Sequence, residues 1–165
     1  MKLISIVSSR PIEWKIGAEI IMKCLETDYS HVSWIFWNSS RTKKRYYECV
    51  LHGGVVFTGE KIWESRNKIV FRKDFEVSDE IYEQFLDEAM DKCGIEYSLL
   101  QNIGIKLKSI FALSRNLFSN GSDGSNCSEL IYLFKDKVNL VLPNDIDEDS
   151  CSPKDIVEAC RAMTN

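Results

Sequence analysis

Histidine is scarce in this sequence of 165 residues: there are two, His31 and His52. The six cysteines form no Cys-x-x-Cys pair, and the histidines form no His-x-x-x-His pair. These are the spacings typical of zinc sites, so we expect no metal and no cofactor, and metal bound to the purified protein would reverse that expectation. The cysteines also lack the close spacing of a disulfide framework. All of them except Cys127 lie in apolar or helical patterns and are predicted to be reduced packing residues.

An excess of positive charge is also missing. The formal net charge is -4 and the isoelectric point is about 5.3, which argues against nucleic-acid binding through phosphate neutralisation. The one basic cluster, "RTKKR" at 41–45, lies between two apolar runs and is predicted to be a hairpin loop.

Long apolar runs are absent as well. No stretch approaches the roughly 18 residues of a spanning helix, so we expect no integral membrane association. The N-terminal "MKLISIV" is too short for the core of a signal peptide, and the sequence therefore predicts a cytoplasmic protein.

What is present is a set of short strands followed by helices. Residues 2–9, 31–37, 45–51, 53–57 and 68–75 are β-branched, aromatic or apolar runs and predict strands. Helices are predicted at 13–26, 78–93 and 98–111, from Cys127 onward, and from Pro153 onward. The chain therefore predicts one domain over 1–165 of the α+β class, with a mostly antiparallel sheet and helices packed on it.

Three of these helices have a predicted apolar face, and in the 98–111 helix it consists of Leu99, Ile103, Leu107 and Ile110. In the 13–26 helix, Trp14, Ala18, Ile21 and Leu25 recur at helical spacing. In the 78–93 helix, Ser78 is the expected cap, Gly94 is the expected stop, and six residues are expected to face inward: Ile81, Tyr82, Phe85, Leu86, Ala89 and Met90.

The segment "SNGSDGSNCSELIYLF" at 119–134 places a cysteine where a polar loop meets an apolar helix. Asn126 is a favourable N-cap, and Glu129 three residues later completes the capping-box pattern. Cys127 would then be the first helical residue, beside unpaired backbone N–H groups that favour the thiolate. The alternative is that Cys127 is simply a small apolar residue at a helix start.

A reactive cysteine needs a base, and a strand carboxylate is a candidate to orient that base. His31 begins the strand "HVSWIFW", and Glu48 interrupts "YYECVL", where an unpaired carboxylate would be unfavourable. If these two strands form a hairpin, Glu48 can accept a hydrogen bond from His31. His52 in the "HGG" turn is the other candidate for the orienting residue, although it is expected to face solvent. His31 could also be a structural residue of the core, and Glu48 could lie on an exposed face of the sheet.

The order His, acidic residue, Cys, in "SHVSWIF", "YECVLHGGVVF" and "SNCSELI", resembles the circularly permuted NlpC-type papain-like hydrolases. That group includes the YiiX-like bacterial proteins, their poxvirus relatives and the lecithin retinol acyltransferase-like enzymes. "GIEYSLL" before the cysteine and "SPKDI" after it are similar to further motifs of the group. The resemblance covers roughly residues 1–160 and implies a permuted papain-like fold.

By this resemblance Cys127 is the nucleophile, His31 the general base and Glu48 the orienting residue. The backbone N–H of Cys127 would form part of an oxyanion hole, and Tyr97 would line the substrate site. Asn126 and Ser128, on either side of Cys127, are expected among the substrate-binding residues.

The implied reaction is hydrolysis or transfer at an amide, ester or thioester carbonyl, so the expected partner is a peptide, amide or acyl substrate. A glutamate in place of the second histidine of the acyltransferases favours the YiiX-like branch. A lipid acyltransferase or thioesterase, and an inactive fold that serves as an interaction protein, remain alternatives.

Overall fold

The structure is a computed structural model that describes residues 1–97, 125–144 and 146–163. The predicted 98–111 helix and nearly all of the polar loop before Cys127 lie outside the described residues. No helix in the described part is long and apolar enough to cross a membrane.

Five strands form one antiparallel sheet in the described part of the chain. They are β1 (Lys2–Pro11), β2 (His31–Trp37), β3 (Lys44–Val50), β4 (Gly54–Gly59) and β5 (Asn67–Val77), in the spatial order β4-β3-β2-β1-β5. The centre of β1 and all of β2 except its two ends are buried, as expected for runs that are apolar on both faces. The predicted strands agree with these bounds to within two residues.

Within the described residues, five helices accompany the sheet: α1 (Ile16–Leu25), α2 (Glu60–Glu64), α3 (Asp79–Asp91), α4 (Cys127–Leu133) and α5 (Pro153–Ala162). Short 3-10 turns lie at Lys135–Val138 and Glu148–Ser150. α5 begins with Pro153 at its first position and with Ser152 as its N-cap, as the sequence predicts. The sequence analysis missed α2, because five residues are too few to show a helical period.

The two faces of the sheet are both covered. On one face Trp34 packs edge-on against Phe85 of α3, with ring centroids 4.9 Å apart, and its indole N–H donates to the carbonyl of Leu130 in α4 at 3.2 Å. On the other face Tyr46 and Trp63 of α2 stack with centroids 3.8 Å apart. The α+β class with helices packed on an antiparallel sheet is thus confirmed.

The predicted burial of α1 is wrong. No residue of this helix is buried, and Trp14 precedes the helix and is 69% exposed. Ile16 and Ile20 lie on the side opposite to Ala18 and Ile21, so the helix has apolar residues on both sides and its periodicity does not select one face for burial.

The face of α3 is predicted correctly at its centre and wrongly at its margins. Tyr82, Phe85 and Ala89 are buried, whereas Ile81 and Met90 are exposed. The exposed pair flanks the buried stripe, where the sheet no longer covers the helix. Ser78 caps α3, as predicted, by accepting the backbone N–H of Ile81.

Candidate active site

The N-terminus of α4 is fixed by a complete capping box. The Asn126 side-chain oxygen accepts the backbone N–H groups of Ser128 and Glu129 at 2.9 and 3.0 Å. In return the Glu129 carboxylate accepts the backbone N–H of Asn126 at 3.2 Å. This reciprocal pattern confirms the predicted cap and makes Cys127 the first residue of the helix.

The cap determines which amides of this turn are satisfied. It takes up the N–H groups of Ser128 and Glu129, while the described residues offer no acceptor to the N–H of Cys127. Cys127 itself is only 5% exposed, and its helix packs on β2 and β3.

His31 lies at the start of β2, at the edge of the site. It is opposite Ser9 in the register with β1, and its side chain is 18% exposed. Its Nε2 atom is 2.9 Å from Oε2 of Glu48. The predicted bond between the first histidine and the strand carboxylate is therefore present.

The buried carboxylate of Glu48 has three hydrogen-bond partners. Besides the His31 ring, the Thr58 hydroxyl donates to Oε1 at 2.6 Å and the Trp63 indole N–H donates to Oε2 at 2.8 Å. Thr58 comes from the neighbouring strand β4 and Trp63 from α2, which follows β4 directly. A buried carboxylate is unfavourable unless it is bonded in this way, and these contacts explain why β3 tolerates one.

The Cys127 sulfur and the His31 side chain lie close enough to interact, and each group shifts the pKa of the other toward its charged form. Since Nε2 of that ring is bonded to Glu48, Nδ1 is the ring nitrogen left for the sulfur. The backbone N–H of Val32 also favours the thiolate, and the Ser128 hydroxyl is 4.0 Å from the sulfur. Cys127, His31 and Glu48 thus form one continuous buried chain of polar contacts.

These contacts shift all three pKa values toward the charged forms. Burial alone would lower the pKa of His31, but the bonds to Cys127 and Glu48 outweigh it and raise the pKa from 6.5 to about 10. Burial would raise the pKa of Cys127 and of Glu48, and in both groups the bond to His31 reverses this and lowers the pKa. The favoured state is a thiolate, an imidazolium and a carboxylate in a row.

The other candidate residues lie beside the row of contacts formed by Cys127, His31 and Glu48, or farther away from it. His52 is exposed in the turn between β3 and β4, as expected, and Glu48 fills the place beside the His31 ring. Tyr97 is half-buried and pairs with Ser125, two residues before Cys127. Asn126 is buried and uses its side-chain oxygen for the cap, and Ser128 is buried with its hydroxyl near the sulfur. Contact of Tyr97, Asn126 or Ser128 with a substrate stays a prediction.

A glycine allows Tyr97 to approach the site. The backbone of Gly54 has a φ of 65°, and a Cβ atom there would lie 2.0 Å from the carbonyl oxygen of Ile95. This contact lets the segment 94–97 join β4 through the Val55 N–H, which donates to the Ile95 carbonyl at 2.8 Å. The second glycine of "HGG" is therefore required by the close packing beside the site.

Sequence reasoning missed three groups of the site: the Thr58 hydroxyl, the Trp63 indole and the Val32 N–H. Two of these groups, the Thr58 hydroxyl and the Trp63 indole, could have been inferred from the sequence. A buried strand carboxylate needs several donors, and Thr58 and Trp63 belong to the next two elements after it. The amide of Val32 carries no signal in the sequence, because any residue would provide it.

Among the described residues, no three His, Cys, Asp or Glu side chains lie close enough together to hold a metal ion. No known family model matches this sequence, and no curated protein matches it.

Proposed function

We propose that this protein is a thiol hydrolase that cleaves an amide, ester or thioester bond through an acyl-enzyme intermediate. The observation that carries the proposal is the buried chain from the Cys127 sulfur through the His31 ring to the Glu48 carboxylate. A nucleophilic thiol, a base in contact with it and a third group that orients the base are the parts that covalent catalysis requires.

The chemistry follows from the charges of the three groups. The Cys127 thiolate attacks the carbonyl carbon, and the carbonyl oxygen becomes an oxyanion. The N–H of Cys127, which has no described acceptor, is available to donate to that oxyanion. His31 then gives its proton to the leaving group as the tetrahedral intermediate collapses. In the second half, His31 removes a proton from water, which attacks the thioester and releases Cys127.

Glu48 has a positioning role in this proposal. Its bond to Nε2 holds the ring so that Nδ1 faces the sulfur, and its charge stabilises the imidazolium. Thr58 and Trp63 hold the carboxylate in turn, so the orientation of the base is fixed by β3, β4 and α2 together.

Family membership is part of the proposal. The order of the three residues, the helix that begins at the cysteine and the antiparallel sheet beside it are the features shared with the permuted NlpC-type papain-like hydrolases. A nucleophilic thiolate is oxidised easily, and all six cysteines are free, so we place the reaction in a reducing compartment such as the cytosol.

A panel of electrophilic probes tests the proposal. Amide, ester and thioester probes that form a covalent adduct with a reactive thiol are incubated with the native protein, with Cys127→Ala and with Cys49→Ala. We expect labelling of the native protein and of Cys49→Ala, and none of Cys127→Ala. Equal labelling of all three proteins would contradict the proposal. Labelling of Cys127 without turnover of any substrate would point instead to a fold that has kept its site but acts by interaction.

A further inference from the structure

An exposed apolar surface lies where β1 leads into α1. It consists of Ile12, Trp14, Ile16 and Ile20, which we call the apolar tip; Trp14 is 69% exposed and Ile16 is 61% exposed. Ile16 and Ile20 are one helical turn apart and therefore lie on the same side of α1. Large apolar side chains concentrated in one exposed segment mark an interaction surface more often than single ones do.

Trp14 differs from every other tryptophan of the chain. Trp34 and Trp63 are fully buried, and Trp37 is half-buried with its indole N–H donating to Ser5 at 2.9 Å. The indole of Trp14 makes no hydrogen bond with any described residue. Its exposure is therefore a property of this segment and not of tryptophans in this fold.

Basic side chains surround the apolar tip. Arg10 and Lys68 are directly opposite each other in the register of β1 and β5, and Lys15 is the N-cap residue of α1. The backbone N–H of Ile12 donates to the carbonyl of Arg66 at 2.9 Å, which brings a fourth cation to the same end of the sheet.

The charge of this surface opposes that of the whole protein. The segments 10–20 and 66–68, which contain the apolar tip, hold these four basic residues and two acidic residues, Glu13 and Glu19. Their net charge is +2 in a chain whose net charge is -4. None of the four cations forms an ion pair with a described residue. Two cations opposite each other across a strand pair repel, so the arrangement is unfavourable unless an anionic surface meets it.

We propose that the apolar tip docks on an anionic phospholipid bilayer. An amphipathic surface with Trp and Ile on one side and Lys and Arg around it binds at the level of the lipid headgroups. The indole ring would lie among the headgroups, the isoleucines would enter the acyl boundary, and the four cations would meet anionic lipids. Protein interfaces fit less well, because lysine is depleted from them and an excess of unpaired positive charge is unfavourable there.

The docking surface is close to the candidate active site in the fold. Ser9 is opposite His31 in the register of β1 and β2, and the N–H of Ser30 donates to the carbonyl of Ser9 at 3.0 Å. Arg10 and Ile12 follow Ser9 at the same end of the sheet. Bilayer docking does not depend on the chemistry of Cys127, so it can be tested without any substrate.

Vesicle binding of the full chain tests the proposal. Vesicles of phosphatidylcholine alone and of phosphatidylcholine mixed with phosphatidylserine are compared by co-sedimentation and by tryptophan emission. We expect binding to the mixed vesicles alone, with a blue shift of the tryptophan emission and with quenching by brominated lipid acyl chains.

Ile16→Asp is expected to abolish vesicle binding, and Lys15→Gln or Lys68→Gln to weaken it about fivefold each. Val141→Asp, at an exposed apolar residue elsewhere, is the matched control and should bind as the native protein does.

Three results would overturn the proposal. One is the absence of binding to mixed vesicles. Another is equal binding by Ile16→Asp and Val141→Asp, with both variants folded by circular dichroism. The third is a concentration-dependent dimer in sedimentation velocity that Ile16→Asp disrupts, which would assign the apolar tip to an interface between copies of the chain. Thiol labelling with the electrophilic probes is unaffected by any of these outcomes.

Discussion

Two neighbouring cysteines, Cys49 and Cys127, are both buried and yet their thiols have opposite properties. The Cys49 thiol donates to the carbonyl of Ser125 at 3.2 Å, two residues before Cys127. Burial and the nearby negative charges of Cys127 and Glu129 raise the pKa of Cys49. Burial also acts to raise the pKa of Cys127, but the contact with His31 reverses the direction and lowers it.

The comparison shows that burial does not make a thiol inert or reactive by itself. What differs is one cationic partner: Cys127 interacts with an imidazole, whereas Cys49 donates to a carbonyl oxygen and lies near negative charges. Burial raises the pKa of Cys151 and Cys160 in the same direction as that of Cys49. The electrostatic environment of Cys127 is therefore specific to its position between α4 and the start of β2.

The largest expected effect comes from removal of the imidazole. We expect His31→Gln to lower kcat/KM on any substrate found with the probe panel by about 10²–10⁴-fold, the usual contribution of a general base. His52→Gln, at the exposed histidine, is the control and should keep native activity. Equal losses of kcat/KM in the two variants would show that the His31 imidazole is not what makes Cys127 differ from Cys49.

A smaller effect is expected from neutralisation of the positioning carboxylate. Glu48→Gln keeps one side-chain oxygen, so it can accept from Thr58 or from Trp63 but not from both, and it removes the charge that stabilises the imidazolium. The pKa of His31 should therefore fall and that of Cys127 should rise. Turnover should fall by about 10–100-fold, and the midpoint of the pH–alkylation profile of Cys127 should move to higher pH.

A matched control for this change is Glu64→Gln. Glu64 accepts the Tyr46 hydroxyl at 3.0 Å and pairs with Lys44, and it has no bond to His31. Its alkylation profile should be that of the native protein. An unchanged profile in Glu48→Gln as well would assign the orientation of His31 to another group.

The smallest effect is expected from Trp63→Phe. This variant keeps an aromatic ring against Tyr46 but removes the N–H that donates to Glu48, which should reduce the free energy of unfolding by about 1.5–3 kcal/mol, the usual value for a hydrogen bond to a charged group. Tyr46→Phe is the control: it removes a hydroxyl that donates to Glu64 and not to Glu48, so it should leave the His31 ring undisturbed. Urea unfolding measures the first effect, and turnover separates the two variants. A loss of turnover in Tyr46→Phe as large as in Trp63→Phe would show that the bond to Glu48 is not the cause.

Much of the fold and of the site could be predicted from local sequence. Apolar runs located the strands, and the spacing of Asn126 and Glu129 located the start of α4. The hairpin of β2 and β3 was enough to bring Glu48 to His31.

The remaining features depend on contacts that local patterns do not encode. The bonds from Thr58 and Trp63 require the register of β3 with β4 and a helix of five residues. The exposure of α1 depends on how much of that helix the sheet covers, and its own periodicity does not determine this.

The pH dependence of alkylation at Cys127 is the most direct test of the proposed thiolate–imidazolium pair. The pKa of Cys127 is lowered and that of His31 is raised to about 10, so the ion pair exists from below the ordinary thiol pKa of 9.0 up to about pH 10. The stability that the raised pKa of His31 provides is fully present below pH 6.5 and is lost as the pH rises through about 10. The lowered pKa of Glu48 acts in the opposite sense. The stability that it provides is present above pH 4.5 and is lost as the pH falls through the lowered pKa of Glu48.

The measurement is mass spectrometry of each cysteine after brief treatment of the folded protein with iodoacetamide across this pH range. We predict that Cys127 is already labelled at neutral pH, that Cys49 is not, and that His31→Gln moves the labelling of Cys127 to the pH of an ordinary thiol. Labelling of Cys127 and Cys49 at equal rates, or labelling of Cys127 only after unfolding, would contradict this prediction.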